Sequence, residues 1–421
     1  MRNAILVGVC SNQYSEFEEN LEEMKQLAAA CDIAIETTIT QRLKTPHKKT
    51  YINQGKVEEV IHAINDTINL ILFDAELTPS QQHHLEDSFQ REVVDKTYLI
   101  LQIFEQRAKT KEATLQVAAA LLKYQKPRLA GSYASLDRQR GGNKNKGTGE
   151  KKLEMDSRTI SKAITKVEKE LKEISEQRNI QRSQRKKKAI KSVALVGYTN
   201  AGKSSIMNGL MEWMKKDDKQ VFEKDMLFAT LTTNTRSITS NNHHHFVISD
   251  TVGFLSDLPH SLIQAFHSTL EEVAMADLLV QVIDSSSKNY GKHMATTKDT
   301  LATINAGHIP ILTVFNKCDI SEFPYPIQKD NCLYLCAKDR ESIELLINAI
   351  DHALYHDVSA YFFIPYQNSS LLPILNQNCQ ILSQEYQQEG TLLHIQTEET
   401  LFQKLKKTYP EFYVDDKKKH I

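Results

Sequence analysis

The octapeptide Gly197–Ser204 (GYTNAGKS) constrains this chain more than any other stretch, because G-x-x-x-x-G-K-S is a spacing that wraps phosphate. Backbone N–H groups along Gly197, Tyr198, Thr199, Asn200, Ala201 and Gly202 can surround a diphosphate. The Lys203 ammonium can reach the β- and γ-phosphates, and the Ser204 hydroxyl can bind Mg2+, with Ser205 in the helix that follows. The apolar run Val193–Val196 before the loop reads as a strand, and a helix N-terminus after it adds partial positive charge where phosphate sits. Strand, loop and helix in this order imply an α/β nucleotide domain. A glycine-rich turn without a ligand leaves Lys203 and Ser204 unexplained.

In such a domain the ligand lies at the carboxyl ends of the strands. Asp250–Gly253 (DTVG) follows the run Phe246–Ser249. Asp250 can hold Mg2+ through water, and Gly253 can bring its N–H to the γ-phosphate, with Thr251 and Val252 between them. Asn316–Asp319 (NKCD) follows Ile311–Phe315. The Asp319 carboxylate matches the N1–H and N2 amine of guanine, donors that adenine does not place there, so Asn316, Lys317 and Asp319 select GTP over ATP. Cys336, Ala337 and Lys338 are expected to form a loop packing on the base. A switch threonine must reach Mg2+ from the segment between the phosphate loop and Asp250. Phe228, Ala229, Thr230 and Leu231 open a threonine-rich run in which Thr230 is the first choice, ahead of Thr232 and Thr233. Lys203, Thr230 and Gly253 form the expected catalytic set, and Ser204, Thr230 and Asp250 the Mg2+ set. Phe254 and Leu255, which come next, cannot orient a water by hydrogen bonding. Hydrolysis therefore has to draw on a monovalent cation such as K+, with Asn200 as candidate ligand, or on a partner that orders the switches.

A chain of 421 residues exceeds one ordinary core, and at roughly 150 residues per domain it implies two to four. With 40% apolar and 25% charged residues it is ordinary globular sequence rather than a chain disordered throughout. No window approaches ~18 uninterrupted apolar residues, so no membrane span is expected. The N-terminus reads as a short strand with no cleavable leader, which implies a cytoplasmic protein. Six cysteines without a C-x-x-C pair suggest neither a zinc ribbon nor a disulfide framework, and Cys332 and Cys336 read as buried on one strand face. His243–His245 has no Cys, Asp or Glu at ligand spacing in the sequence and reads as a polar hairpin tip.

Four regions follow from the patterning. Residues 1–98 alternate strand and helix as a small α/β binding domain, with a capping box at Thr78–Gln81. Residues 99–190 form a helical arm: a helix from Leu99 that Pro127 ends, a flexible basic glycine-rich loop at 138–152, and a seam through Ile160, Ile164, Val167, Leu171 and Ile174 that stops at Arg178. Residues 191–356 are the nucleotide domain, and 357–421 a small α+β domain. Net charge is only −1, but basic segments at 138–152 and at Arg182–Lys191 flank the arm and point to RNA contact.

These residues resemble the HflX family of translational GTPases over nearly the whole chain. The resemblance is carried by the nucleotide motifs above, by Ser268–Glu272 (STLEE), and outside that domain by Gln54–Glu59 (QGKVEE), Phe73–Leu77 (FDAEL), Ile103–Ala108 (IFEQRA), Leu115–Val117 and Pro127–Leu129. It implies an N-terminal nucleotide- and ribosome-binding domain in a GTPase that binds the 50S subunit and its rRNA. Such a protein splits or rescues stalled ribosomes under stress as a monomer, is cytoplasmic with a share reaching membranes through ribosomes, and carries a secondary ATPase activity. The alternative function is a GTP-regulated RNA-binding factor for large-subunit assembly. Two stretches depart from the family wording. Gly147–Glu154 reads GTGEKKLE where the family has G-P-G-E-T-Q-L-E, which bears on rRNA contact. Thr232–Arg236 reads TTNTR where it has D-P-T-T-R, which bears on switch ordering.

Overall fold

The computed structural model describes residues 2–10, 14–139, 146–187, 190–214, 234–242, 244–251, 253–254, 267–355 and 357–414. The first sheet is built from β1 (Arg2–Cys10), β2 (Ile33–Arg42), β3 (Ile68–Phe73) and β4 (Glu92–Asp95), interleaved with α1 (Tyr14–Ala30), α2 (Gln54–Ala63) and α3 (Pro79–Phe89), and α4 (Lys96–Arg107) follows it. All its pairings are parallel and its order is β2-β1-β3-β4. A parallel sheet is covered on both faces, which is why β1 and β3 read as nearly continuous apolar runs. Leu6, Leu70 and Leu72 pack toward α1 and α4 on one face, whereas Ile5, Ile71 and Phe73 pack with Val57, Val60 and Leu85 on the other. The Thr78 capping box forms as the sequence predicts, with Pro79 at the first helical position.

The arm differs from expectation. Instead of one helix ended by Pro127, α4 is followed by a separate helix, α5 (Lys111–Gln139), which continues through Pro127. An interior proline costs ~3 kcal/mol because it removes a hydrogen bond and crowds the preceding turn. Here the neighbouring residues are held from outside the helix. Arg128 donates to Leu77 O at 2.6 Å and to Asp95 Oδ2 at 3.2 Å, lies 3.5 Å over the Tyr124 ring, and donates back to Tyr124 O. The Tyr124 hydroxyl donates to Asp95 Oδ1, whose carboxylate is fully buried. Burial pushes the Asp95 carboxyl up despite Arg128 and its other donors. The local sequence shows the breaker, whereas the tertiary contacts that override it lie 33 and 51 residues away.

The second arm helix, α6 (Lys146–Lys187), starts inside the stretch expected to be a loop and continues past Arg178. Residues 140–145 of that loop lie outside the described residues. The arm helices run antiparallel, with Glu112 paired to Arg178 and Lys123 to Glu168.

A seven-stranded sheet follows. Its elements are β5 (Lys191–Val196), α7 (Lys203–Trp213), β6 (Asn234–Thr239), β7 (His245–Asp250), α8 (His267–Ala274), β8 (Leu278–Asp284), α9 (Tyr290–Thr303), β9 (Ile311–Asn316), β10 (Ile327–Lys329), β11 (Cys332–Tyr334) and α10 (Arg340–Leu354). The order is β10-β11-β9-β8-β5-β7-β6, parallel except for the antiparallel edge strands β6 and β10. Apolar cores lie on both faces, one with α7 and α10 and one with α8 and α9. The last described elements form an antiparallel sheet, β13-β14-β12-β15, made of β12 (Asp357–Pro365), β13 (Gln380–Tyr386), β14 (Gly390–Glu398) and β15 (Tyr413–Val414), with α11 (Leu371–Asn378) and α12 (Glu399–Thr408). All six cysteines are free; Cys336 is buried but lies beyond the end of β11, and Cys332 is half-buried, so they do not share one strand face. Among the described residues no helix is long and apolar enough to cross a membrane.

Removing the cation from the buried Asp95 cluster leaves an uncompensated carboxylate. Arg128→Ala should destabilise the first domain by about 3 kcal/mol in urea unfolding, and a loss below ~1 kcal/mol would show that Arg128 does not hold α5 through the proline.

Candidate nucleotide site

The site begins at the junction of β5 and α7. Gly197 has φ of +144°, and a Cβ there would meet Val282 O at 2.2 Å, so only glycine lets the loop leave the sheet against β8. Gly253 is closed from the other side: a Cβ would lie 2.7 Å from Thr199 Cα and 2.9 Å from Lys203 Nζ. The two segments are tied through the backbone, Thr199 N–H donating to Phe254 O at 2.8 Å and Phe254 N–H to Gly197 O at 3.1 Å.

Lys203 is buried and donates to Gly197 O and Tyr198 O. Burial brings its ammonium from 10.5 down to about 8, against the raising pull of Asp250. The Ser204 hydroxyl donates to Asp250 Oδ2 at 2.8 Å, so the oxygen donors of the phosphate loop and of the β7 end already converge. Thr251 is buried with its hydroxyl on Leu195 O. Phe254 is 2% exposed and packs with Val196, Val273 and Leu301, so the position after Gly253 is filled by core rather than by a polar group.

The segments expected to meet guanine come together around Asn316. Its side chain donates to Ala201 O at 3.0 Å and accepts from Ala337 N–H at 3.0 Å, which fixes the phosphate loop and the Cys336–Lys338 loop to the end of β9. Lys317, at φ of +62°, pairs with Asp284 at 2.8 Å; burial raises the Asp284 carboxyl, but Lys317 and Ser286 outweigh it and hold it below its ordinary value. A cavity of about 280 Å³ is lined by Asn200, Gly202, Ser205, Asn316, Lys317, Asp319, Ile320, Cys336, Ala337 and Lys338. Asp319 is exposed at its rim, and Asn200 is exposed with φ of +60°. Burial pushes the Cys336 thiol up, and its hydrogen bond to Asp319 adds to that. Phe228, Ala229, Thr230, Leu231, Thr232 and Thr233 lie outside the described residues, as do Val252 and Leu255.

Three features escaped sequence reasoning. Asn316 acts as a brace between two loops, and Asp284 partners Lys317 from the end of the neighbouring strand β8. The third is Tyr198, which faces away from the cavity. It stacks on His293 of α9 with ring centroids 4.0 Å apart, and its hydroxyl hydrogen-bonds Glu23 of α1. Glu23 in turn pairs with Lys96 at 3.0 Å, and Glu19 with His293 at 3.3 Å. Asp284 was detectable as a charged residue ending an apolar strand; nothing local marks Tyr198 as a domain contact.

A glycine-pinned phosphate loop, an aspartate converging on its serine, and an N-K-x-D segment at the next strand end define a P-loop GTPase. Residues 18–105 match the GTP-binding GTPase N-terminal family, residues 107–185 the GTP-binding GTPase Middle Region, and residues 192–317 the 50S ribosome-binding GTPase family. GTPase HflX of Caldanaerobacter subterraneus subsp. tengcongensis is 38% identical over 389 residues, covering 92% of this chain and 89% of that protein. GTPase HflX of Escherichia coli is 35% identical over 401 residues, covering 93% and 92%. Among solved structures, a GTP-binding protein from Sulfolobus solfataricus in complex with GDP is similar at 24% identity and TM-score 0.43, covering 84% of this chain and 99% of that one. The chain belongs to the HflX GTPase family.

A phosphate bound beside Lys203 would supply an anion that restores its charge. Because the folded pKa lies below the ordinary one, the unfolded chain binds the extra proton between pH 8 and 10.5, and stability rises with pH across that window. GDP binding at about pH 9 should then take up close to one proton. Calorimetry of the wild-type protein in buffers of different ionisation enthalpy measures this, and GDP binding without proton uptake at that pH would refute it.

Proposed function

We propose that this GTP hydrolase docks on the large ribosomal subunit and splits or rescues stalled ribosomes, with turnover raised by the ribosome. The observation that carries the reading is the burial of Phe254 where a water-orienting side chain would otherwise stand. Positioning and electrostatics supply most of the catalysis in phosphoryl transfer, so a site without that group depends on charge or order brought from outside.

In this reading the backbone from Gly197 to Gly202, with Ser205 beside it, cradles the phosphates and Lys203 neutralises them. Asp319, with Asn316 and Lys317 behind it and Cys336–Lys338 alongside, reads guanine. Ser204 and Asp250 are hard oxygen donors 2.8 Å apart, a donor set that suits Mg2+, with Thr230 completing it from the switch. Mg2+ would neutralise charge on the phosphates. Gly253 brings its N–H toward the γ-phosphate, and its missing Cβ keeps Lys203 Nζ clear. Asn200, at the exposed edge of the cavity, is the proposed K+ ligand. The antiparallel arm carries the basic segments to rRNA, and the protein works in the cytoplasm. The same arm also suits the second reading, a GTP-regulated factor for large-subunit assembly.

GTPase rate with and without intact ribosomes, together with sedimentation of 70S particles after adding protein and GTP, separates the two. Ribosome splitting with stimulated turnover is expected, and stimulation by subunit precursors without splitting would favour assembly. Lys203→Ala should abolish productive nucleotide binding and Asp319→Asn should weaken preference for guanine over adenine by at least about tenfold; wild-type behaviour in both would refute the site. Neutralising Arg138, Arg140, Lys144 and Lys146 together should lower ribosome affinity and flatten its salt dependence, because fewer rRNA phosphates are then neutralised and fewer counterions released. An unchanged slope would exclude the segment from the interface.

A further inference from the structure

The β6–β7 hairpin carries His244, which meets residues far away in sequence. Its Nδ1 lies 2.9 Å from Asp351 Oδ1 on α10, and its Nε2 lies 3.3 Å from Asp357 Oδ1 at the start of β12. The ring stacks on Tyr355 with centroids 4.2 Å apart. One donor atom from each of His244, Asp351 and Asp357 lies within 4.8 Å of the others. The polar hairpin tip expected from sequence is present between β6 and β7, and the fold adds what no local spacing rule reaches: acidic partners from 107 and 113 residues downstream.

We infer that His244, Asp357 and Glu398 form a binding site for a divalent transition-metal ion of the Zn2+ class, with Asp351 as the residue that positions the imidazole. Three observations carry this. First, Asp351 is 2% exposed and its other oxygen accepts from Asn242 at 2.6 Å, so it is a fixed anchor for Nδ1–H. A carboxylate on one ring nitrogen turns the other toward a metal and raises its basicity. Second, Asp357 is nine-tenths buried, yet Oδ1 receives no hydrogen bond from any described residue while Oδ2 accepts from Gln396 at 3.0 Å. The unsatisfied oxygen is the one facing His244. Third, the β12–β14 register sets Asp357 directly opposite Glu398. Like charges across a strand pair are destabilising unless a cation sits with them. Two ligands at ~2.0–2.1 Å from a tetrahedral ion are about 3.3 Å apart, which matches the His244–Asp357 separation. The ion would staple the hairpin and α10 of the nucleotide domain to the C-terminal sheet.

The test uses the full chain saturated with Mg2+ and GDP, so that the phosphate site does not compete. Equilibrium dialysis against buffered Zn2+ should give one bound equivalent, and Asp357→Asn and Glu398→Gln should each weaken it at least about tenfold. Co2+ should give the visible bands of a four-coordinate nitrogen and oxygen site that both variants lose. Each variant's circular dichroism and GDP affinity establish that it is folded. No Zn2+ bound at micromolar concentration, or equal binding by wild type and both variants, would overturn the site and leave His244 as an imidazolium held between carboxylates.

Discussion

The nucleotide site is joined to the N-terminal domain through one side chain of the phosphate loop. Tyr198 is 9% exposed, and its ring belongs to the same core as Phe17, Leu21 and Met24 of α1. Its hydroxyl hydrogen-bonds Glu23, which shares the buried Lys96 ammonium with Asp74. Taking two charges out of water is costly, so such a cluster persists only where each member keeps its partner. Lys203 Nζ holds the carbonyl of the same Tyr198. A displacement of the loop at that residue is therefore a displacement of the α1 contact, and interiors packed this closely change between discrete arrangements rather than deforming smoothly.

Inside the site, rigidity comes from side chains that brace backbone rather than from side chains that touch ligand. Asn316 spans from Ala201 O to Ala337 N–H, and Thr251 reaches Leu195 O beneath the loop. Both are buried, where an unmade hydrogen bond costs about 1–3 kcal/mol, so their geometry is strongly enforced. The residues proposed to meet the nucleotide, Asp319 and Asn200, are exposed and line the cavity. The division is physical: groups that must exchange ligand stay near water, and groups that fix shape are removed from it.

This division also explains what the sequence made legible. The phosphate loop, D-T-V-G and N-K-C-D could be read because each is a local pattern with a local mechanism, and the strands before them are apolar runs that period and composition reveal. The Thr78 cap was equally readable, since both of its partners sit three residues apart. Pro127 was misread because its local rule is correct and loses to contacts made by Arg128 with Leu77 and Asp95. His244 was read correctly as part of a hairpin tip, but a local absence of acidic partners says nothing about what the fold delivers, and Asp351 and Asp357 reach it from far along the chain.

The C-terminal sheet gains meaning from where it is attached. It meets the nucleotide domain at the hairpin that directly precedes β7, and β7 ends in Asp250. The same stretch of backbone therefore carries the Asp357 contact at one end and the Ser204–Asp250 hydrogen bond at the other, six residues apart in chain from His244 to Asp250. β7 lies between β5 and β6, with Phe246 and Ile248 fully buried, and it has little freedom to shift without moving both neighbours. Tyr198 and His244 thus tie the two flanking domains to opposite ends of the nucleotide domain's sheet. A GTPase with a core phenylalanine after its D-T-V-G segment thus has one neighbouring domain anchored at the phosphate loop, which is hydrogen-bonded to Phe254 through Gly197 and Thr199, and the other at the hairpin that leads into the strand before that segment.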